Sequence, residues 1–288
     1  VLDLTDITKV HRGGHRAVDG VTLSLRPGVL GLLGPNGAGK STLMRIIATA
    51  ARPTRGRVVF EGTDVTARPH SLRRTLGYLP QDFGFYPNLT AREFLSYLAA
   101  AKGMGARAAR TRIGELLEFV ALDGAADRRL GTYSGGMVRR VGIVQALLND
   151  PRVIVMDEPT VGLDPEERAR FHSLLSDLAA DRVVVLSTHI VTDVEAVATD
   201  VAVVVGGSLV RRGRPADLAG RLAGRVWETT ADPAGLASLE RGHTVVRALR
   251  DGGRVRVRLL SEQRPTADAV PVAPELEDAY RAATGAVR

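Results

Sequence analysis

No cysteine occurs anywhere in the 288 residues. That absence excludes disulfide frameworks, thiolate metal sites and cysteine nucleophiles together, and it fits a reducing compartment. Lysine is nearly absent too: Lys9, Lys40 and Lys102 are the lysines among 39 basic residues. The formal charge of +7 therefore rests on arginines spread along the chain without a long run, a pattern of biased composition more than of a binding surface. Aromatic residues make up 4%, too few for the stacking platforms that hold single-stranded nucleic acid, so no nucleic-acid partner is expected. Long apolar runs are missing as well. Val201–Val205 is among the longest, far short of the roughly 20 residues a membrane-spanning helix needs. The opening residues Val1-Leu2-Asp3-Leu4 carry neither a basic stretch nor an apolar one, so no signal peptide is expected.

What is present is the alternation of an α/β protein. Short β-branched runs, at Val1–Lys9, Val21–Leu25, Val29–Leu33, Arg57–Phe60, Gly77–Leu79, Val153–Met156, Val183–Leu186 and Val201–Val205, predict strands. The buried ones read as continuous apolar segments, as expected of a parallel sheet covered on both faces. Helix starts are signposted by chemistry. Thr90 with Glu93 forms a capping box, and Asp164-Pro165 with Glu167 repeats the device with proline at the first helical position. Ile113, Leu116, Leu117 and Val120 fall at helical spacing, so roughly residues 88–148 read as a helical subdomain inserted in an α/β core. After Leu218 the texture changes. Val226–Thr230, His243–Leu249 and Arg254–Leu260 predict short strands and Pro274–Ala283 a closing helix, giving a small α+β appendage over 219–288 without recognisable chemistry.

The chemistry begins at Gly34-Pro35-Asn36-Gly37-Ala38-Gly39-Lys40-Ser41, which fits G-x-x-x-x-G-K-[ST]. It follows the apolar strand Val29–Leu33 and opens a helix through Thr42, Leu43, Ile46 and Ile47, the context that gives the motif its meaning. Glycines allow successive N–H groups to turn inward as an anion nest, and the helix N-terminus adds partial positive charge. Lys40 can then reach β- and γ-phosphates, and the Ser41 hydroxyl can ligate Mg²⁺. Far downstream, Val153–Met156 delivers Asp157 and Glu158 to a strand end, where ligands bind in such sheets. Asp157 suits the metal, and Glu158 suits the attacking water as general base or orienter.

A phosphate loop and a strand-end acid are shared by many nucleotide hydrolases. Tyr133-Ser134-Gly135-Gly136-Met137 narrows the field, because it resembles the signature sequence of ABC ATPases, usually Leu-Ser-Gly-Gly-Gln. Gln81 resembles the Q-loop glutamine, Val161-Gly162-Leu163-Asp164 the D-loop, and Ser187-Thr188-His189 the switch-histidine segment, all in the family's order. The resemblance covers about residues 1–218. It implies a P-loop NTPase with a RecA-like core, an antiparallel β subdomain and the helical insertion. It also implies an ATP- and Mg²⁺-dependent ATP hydrolase that works as a head-to-tail dimer, expected to be a homodimer, on the cytoplasmic face of a membrane. One chain would bind ATP through Gly34 to Thr42 and His11, with Mg²⁺ at Ser41, Asp157 and Gln81. The catalytic set would be Glu158, His189, Lys40 and Gln81. The partner would supply Ser134, Gly135 and Gly136 in trans, and Asp164 would communicate between the two sites. Three positions depart from the family's usual pattern. His11 stands where related proteins often carry an aromatic residue that stacks on adenine, and Tyr133 and Met137 replace leucine and glutamine. These changes resemble exporter-type subunits that pair with ABC-2-type permeases.

Aromatic residues concentrate between Tyr78 and Tyr97. Phe94 and Tyr97, one helical turn apart, are expected in the core of the helical subdomain. Phe83, Phe85 and Tyr86 follow Gln81 in a loop; they either dock a membrane permease or pack inward. The competing function is a soluble ABC-type ATPase acting on nucleic acid or ribosomes. A single phosphate loop, no heptad run and no cysteine argue against it.

Overall fold

The parallel strands of the central layer owe their apolar sequences to facing two cores at once. In the computed structural model, which describes residues 1–285, the chain begins with β1 (Leu2–Val10), β2 (Arg16–Leu25), β3 (Gly28–Leu33), α1 (Lys40–Ile47), β4 (Arg55–Phe60), β5 (Thr63–Asp64), α2 (His70–Arg73) and β6 (Leu76–Leu79). It continues with α3 (Ala91–Ala101), α4 (Ala106–Phe119), α5 (Gly135–Leu147), β7 (Val153–Asp157), α6 (Pro165–Leu178), β8 (Val183–Ser187), α7 (Val191–Val197) and β9 (Asp200–Val205). Then come β10 (Ser208–Gly213), α8 (Pro215–Gly220), β11 (Val226–Ala231), α9 (Pro233–Gly242), β12 (Thr244–Asp251), β13 (Arg254–Leu260), β14 (Val270–Pro271) and α10 (Leu276–Gly285). Residues 286–288, the end of the expected appendage, lie outside the described residues.

The central sheet has the order β10-β9-β3-β8-β7-β6, parallel from β9 to β6, with β10 antiparallel at its edge. Successive side chains on a strand point to opposite faces. Ile154 and Met156 of β7, with Val184 and Leu186 of β8, accordingly enter a core shared with α3, α4, α5 and α6. Val155 and Val185, with Leu30 and Leu32 of β3, enter a second core. There they meet α1 through Leu43, Met44 and Ile47, and the antiparallel sheet β2-β1-β4-β5 through Leu2, Leu4 and Val58.

The helical insertion is built as its sequence foretells. Thr90 Oγ1 accepts from the Glu93 N–H at 3.1 Å, and Glu93 Oε2 accepts from the Thr90 N–H at 2.8 Å, starting α3. Ile113, Leu116, Leu117 and Val120 are all buried. One expectation needs correction: Tyr97 is not core but 56% exposed, while Phe94 on the same helix is buried. Helix α5 buries Val141, Gly142, Ile143, Val144, Ala146 and Leu147 almost without interruption, while Ser134 and Gly135 at its start are exposed.

The C-terminal region forms a third sheet of order β12-β13-β11-β14, with Val255, Val257 and Leu259 packed beneath α9. Helix α10 returns to the central layer: Leu276 and Ala283 share a cluster with Leu33, Val194, Val201, Val203 and Leu218. Strand β10 and helix α9 were not legible in the sequence. The first is an edge strand whose Arg211 and Arg212 are exposed, so it lacks the apolar alternation that betrays a strand.

Candidate active site

The residues singled out in the sequence converge at the carboxyl ends of the central strands. A cleft of about 440 Å³ there is lined by the phosphate-loop residues Asn36 to Thr42, by Gln81, Asp157, Glu158 and Ser187, and by His11, His15 and Ala17. Gly39, just before α1, has φ 98°, and a Cβ there would stand 2.0 Å from the Ala17 carbonyl oxygen, so only glycine fits. Gly34 and Pro35 sit behind the lining and are tied to it: Lys40 Nζ donates to the Gly34 carbonyl at 2.6 Å and to the Pro35 carbonyl at 3.1 Å. Burial lowers the Lys40 pKa, and the Glu158 and Asp157 carboxylates work against that shift.

Strand β7 ends in Asp157, which is 4% exposed. Glu158 follows in a left-handed conformation, φ 53°, its N–H donating to the Ser187 carbonyl at 2.8 Å. This turn sends its carboxylate toward the loop after β8, where Glu158 Oε2 lies 2.9 Å from His189 Nδ1. A carboxylate at pH 7 only accepts, so Nδ1 carries the hydrogen. Acid and histidine are thus held as one unit.

Ser134, Gly135, Gly136 and Asp164 are not in this cleft. Ser134 caps α5, its Oγ accepting from the Met137 N–H at 3.2 Å, and Ser134 and Gly135 are exposed. Gly136 abuts the D-loop of its own chain so closely that a Cβ would meet the Gly162 carbonyl oxygen at 2.5 Å. Asp164 caps α6: its Oδ1 accepts from the Glu167 N–H at 2.8 Å. Tyr133 has a local reason for replacing leucine. Its hydroxyl donates to the Ala125 carbonyl at 2.7 Å, and Arg128 lies over its ring at 5.9 Å.

In the loop after Gln81, Phe83 and Phe85 are half-buried against the helical core, and Phe83 meets Phe94 edge-on at 5.9 Å. Tyr86 is 55% exposed and sits edge-on to both Phe94 and Tyr97 at 6.1 Å. Two residues, His15 and Arg139, escaped sequence reasoning, and Ser187, read there only as part of the switch-histidine segment, lines the cleft. His15 has its ring parallel to that of His11, with 6.4 Å between centroids. Gly13-Gly14 between them, both at positive φ, was the available sign that the chain doubles back. Ser187 Oγ is buried in the cleft wall without a partner among the described residues. Arg139 lies behind the wall and carried no distinguishing signal among so many arginines.

The family model for ABC transporters matches residues 18–161, half of the chain and including the phosphate loop, both acids and the signature. The chain belongs to this family. As an ABC transporter ATP-binding subunit it hydrolyses ATP. It is 36% identical over 297 residues to Nod factor export ATP-binding protein I of Rhizobium etli, covering 99% of this chain and 93% of that protein. ABC transporter ATP-binding protein YxlF of Bacillus subtilis is 37% identical, over 76% of this chain and 72% of its own length. Among solved structures, a dimeric ATP-binding cassette in a post-hydrolysis state, bound to ADP and Pi, aligns with a TM-score of 0.69 and 28% identity. That match covers 74% of this chain and 98% of the other. No described helix of the subunit is long and apolar enough to cross a membrane.

Proposed function

We propose that this subunit powers an exporter. Two copies close head-to-tail on two ATP molecules and pull on a separate membrane permease, of ABC-2 type, from the cytoplasmic face. The observation that carries this reading is the division of the site. One chain's cleft gathers the phosphate loop, both acids and the histidine pair, while the signature residues stand outside it at a helix N-terminus, Ser134 and Gly135 exposed and Gly136 half-buried. A γ-phosphate held in the cleft lacks donors on its open side, and a second copy's Ser134, Gly135 and Gly136 are suited to supply them. The dimeric cassette holding ADP and Pi supports the pairing, and the export protein matched along nearly the whole chain supports the direction. Residues 1–218 would then be the cassette and 219–288 an appendage to it.

Lys40 and the backbone N–H groups of the Gly34–Thr42 loop, Pro35 having none, bind the phosphates, while His11 and the parallel His15 ring flank the base. The donors beside them, the Ser41 hydroxyl, the Asp157 carboxylate and the Gln81 amide, are hard oxygens that fit Mg²⁺, and the orphaned Ser187 hydroxyl suits one of its waters. Held by these groups, such an ion would supply positive charge against the phosphates. Water attacks the γ-phosphorus and the bond to the β,γ-bridging oxygen breaks. Glu158 orients that water or takes its proton, held by His189, whose Nε2 is left for the γ-phosphate. Loss of the phosphate bridge reopens the dimer. Tyr86, with Phe83 and Phe85 behind it, offers the permease an aromatic contact beside Gln81, and Tyr97 extends that surface.

The test uses Glu158→Gln. It should dimerise with ATP and hydrolyse about 10² to 10⁴ times more slowly, the range a general base contributes. A tagged form, solubilised from membranes with ATP, should carry a multi-spanning membrane protein in stoichiometric amount. Recovery with ribosomes or nucleic acid and no membrane partner would replace the exporter with the soluble alternative.

A further inference from the structure

Strands β6 and β7 pair in parallel only as far as Leu79 against Met156. Beyond that point the two chains part, and each then delivers a residue to the cleft, Gln81 from one and Asp157 from the other. Pro80 has no N–H to extend the ladder. What spans the gap is a side chain from a third element. Arg139, on the first turns of α5 and 8% exposed, donates through Nη1 to the Pro80 and Gln81 carbonyls at 3.0 Å each. Its Nη2 donates to the Asp157 carbonyl.

Burial of this guanidinium lowers its pKa, and the Asp157, Glu158 and Asp82 carboxylates work against that shift. A buried cation is costly unless compensated, and here the compensation is concentrated on the two segments that carry the site. Only arginine has the planar fork that reaches carbonyls on two chains at once; lysine is a point donor. The fork also belongs to the helix whose N-terminus presents Ser134, Gly135 and Gly136. Signature and cleft are therefore joined through one side chain.

We propose that Arg139 is a positioning residue that fixes Gln81 and Asp157 relative to each other, so that the divalent metal is held beside the nucleotide only when α5 is seated. The inference rests on the assignment of Asp157 and Gln81 to the metal made above. Outer-shell groups of this kind change metal affinity by about 10- to 100-fold when removed.

The experiment measures binding of the nonhydrolysable β,γ-imido analogue of ATP to the full chain by calorimetry, with Mg²⁺ and with chelator, in wild type, Asp157→Asn, Arg139→Lys and Arg139→Gln. Wild type should gain affinity with Mg²⁺. Asp157→Asn should lose that gain. Both Arg139 variants should lose about tenfold or more of it while keeping metal-free affinity within about twofold, a split that general loosening would not produce. If wild type shows no gain, or Asp157→Asn retains it, the metal assignment itself fails. If Asp157→Asn loses the gain and the Arg139 variants keep it, the role of Arg139 is overturned while the metal assignment stands. Arg139 variants that fail to fold, or that lose metal-free binding equally, would make Arg139 a structural brace and likewise overturn the inference.

Discussion

Glu158 is held at φ 53°, a region that costs a residue with a Cβ about 1–2 kcal/mol and that glycine enters freely. Here the strain falls on the residue that must turn from the end of β7 toward His189, and a functional constraint is one reason a fold retains it. Glu158→Gly should therefore unfold at the same or a higher temperature than wild type while losing hydrolysis, and thermal denaturation beside an ATPase assay checks both. A clear loss of stability would mean that the contact with His189 outweighs the backbone strain. At this scale the site was largely readable, because its contacts are local. The phosphate loop is contiguous, and Asp157, Glu158 and His189 each end an apolar strand that announces them. His15 and Arg139 were hidden because they join the site through approaches between distant segments. Nothing in their own neighbourhoods encodes those approaches, apart from the paired glycines before His15.

Between elements, a buried polar knot ties the acid turn to the helices on either side of it. Thr160 Oγ1 donates to Asp193 Oδ2 at 2.6 Å, and His172 Nε2 and Arg168 Nη1 of α6 approach Asp193 Oδ1 at 3.4 and 3.7 Å. Asp193 is 1% exposed and lies on α7, the helix that follows His189. Burial lowers the His172 pKa below its ordinary 6.5, with Asp193 working against the shift. A folded-state value below the unfolded one means that the unfolded chain binds more protons in the window between them. The contribution is then fully present above pH 6.5 and is lost as pH falls through that window. Denaturant midpoints taken at pH 7.5 and pH 5.5 should fall less for His172→Phe than for wild type. An unchanged drop would remove His172 from the acid sensitivity of the α6–α7 contact. The knot was invisible in sequence, whereas the caps of α3 and α6 were plain, since a capping box is written within four residues and the knot spans three segments. Tyr97 shows the same limit from the other side. Helical spacing places it near Phe94, and only the packing of the insertion decides that it faces outward.

For the whole molecule the question is whether the C-terminal sheet and the cassette stand or fall together. Arg258 of β13 is 5% exposed and Asp278 of α10 is 0% exposed. They form a two-point pair, Nε to Oδ1 at 2.9 Å and Nη2 to Oδ2 at 2.7 Å. Arg258 also donates to the Ala273 carbonyl at 2.6 Å and to Glu228 at 3.2 Å, so the buried cation is well satisfied. The pair fixes α10 to the third sheet, while Leu276 and Ala283 of the same helix pack with Val194, Val203 and Leu218. Helix α10 is thus a clasp with an ionic grip on one side and an apolar grip on the other. The strands and the closing helix were legible from their apolar runs; the clasp was not, because it depends on two charges meeting across the fold. Deleting one partner of a buried pair costs about 3–5 kcal/mol, since the other charge is stranded. Asp278→Ala should lower the unfolding free energy by about that amount in a single transition, because loosening α10 removes apolar contacts from the cassette as well. Replacing both charges, Arg258→Met with Asp278→Leu, should recover most of the loss. Two separate transitions in Asp278→Ala, with ATP binding persisting through the first, would show instead that the appendage melts alone and that the apolar grip of α10 on the cassette contributes little to its stability.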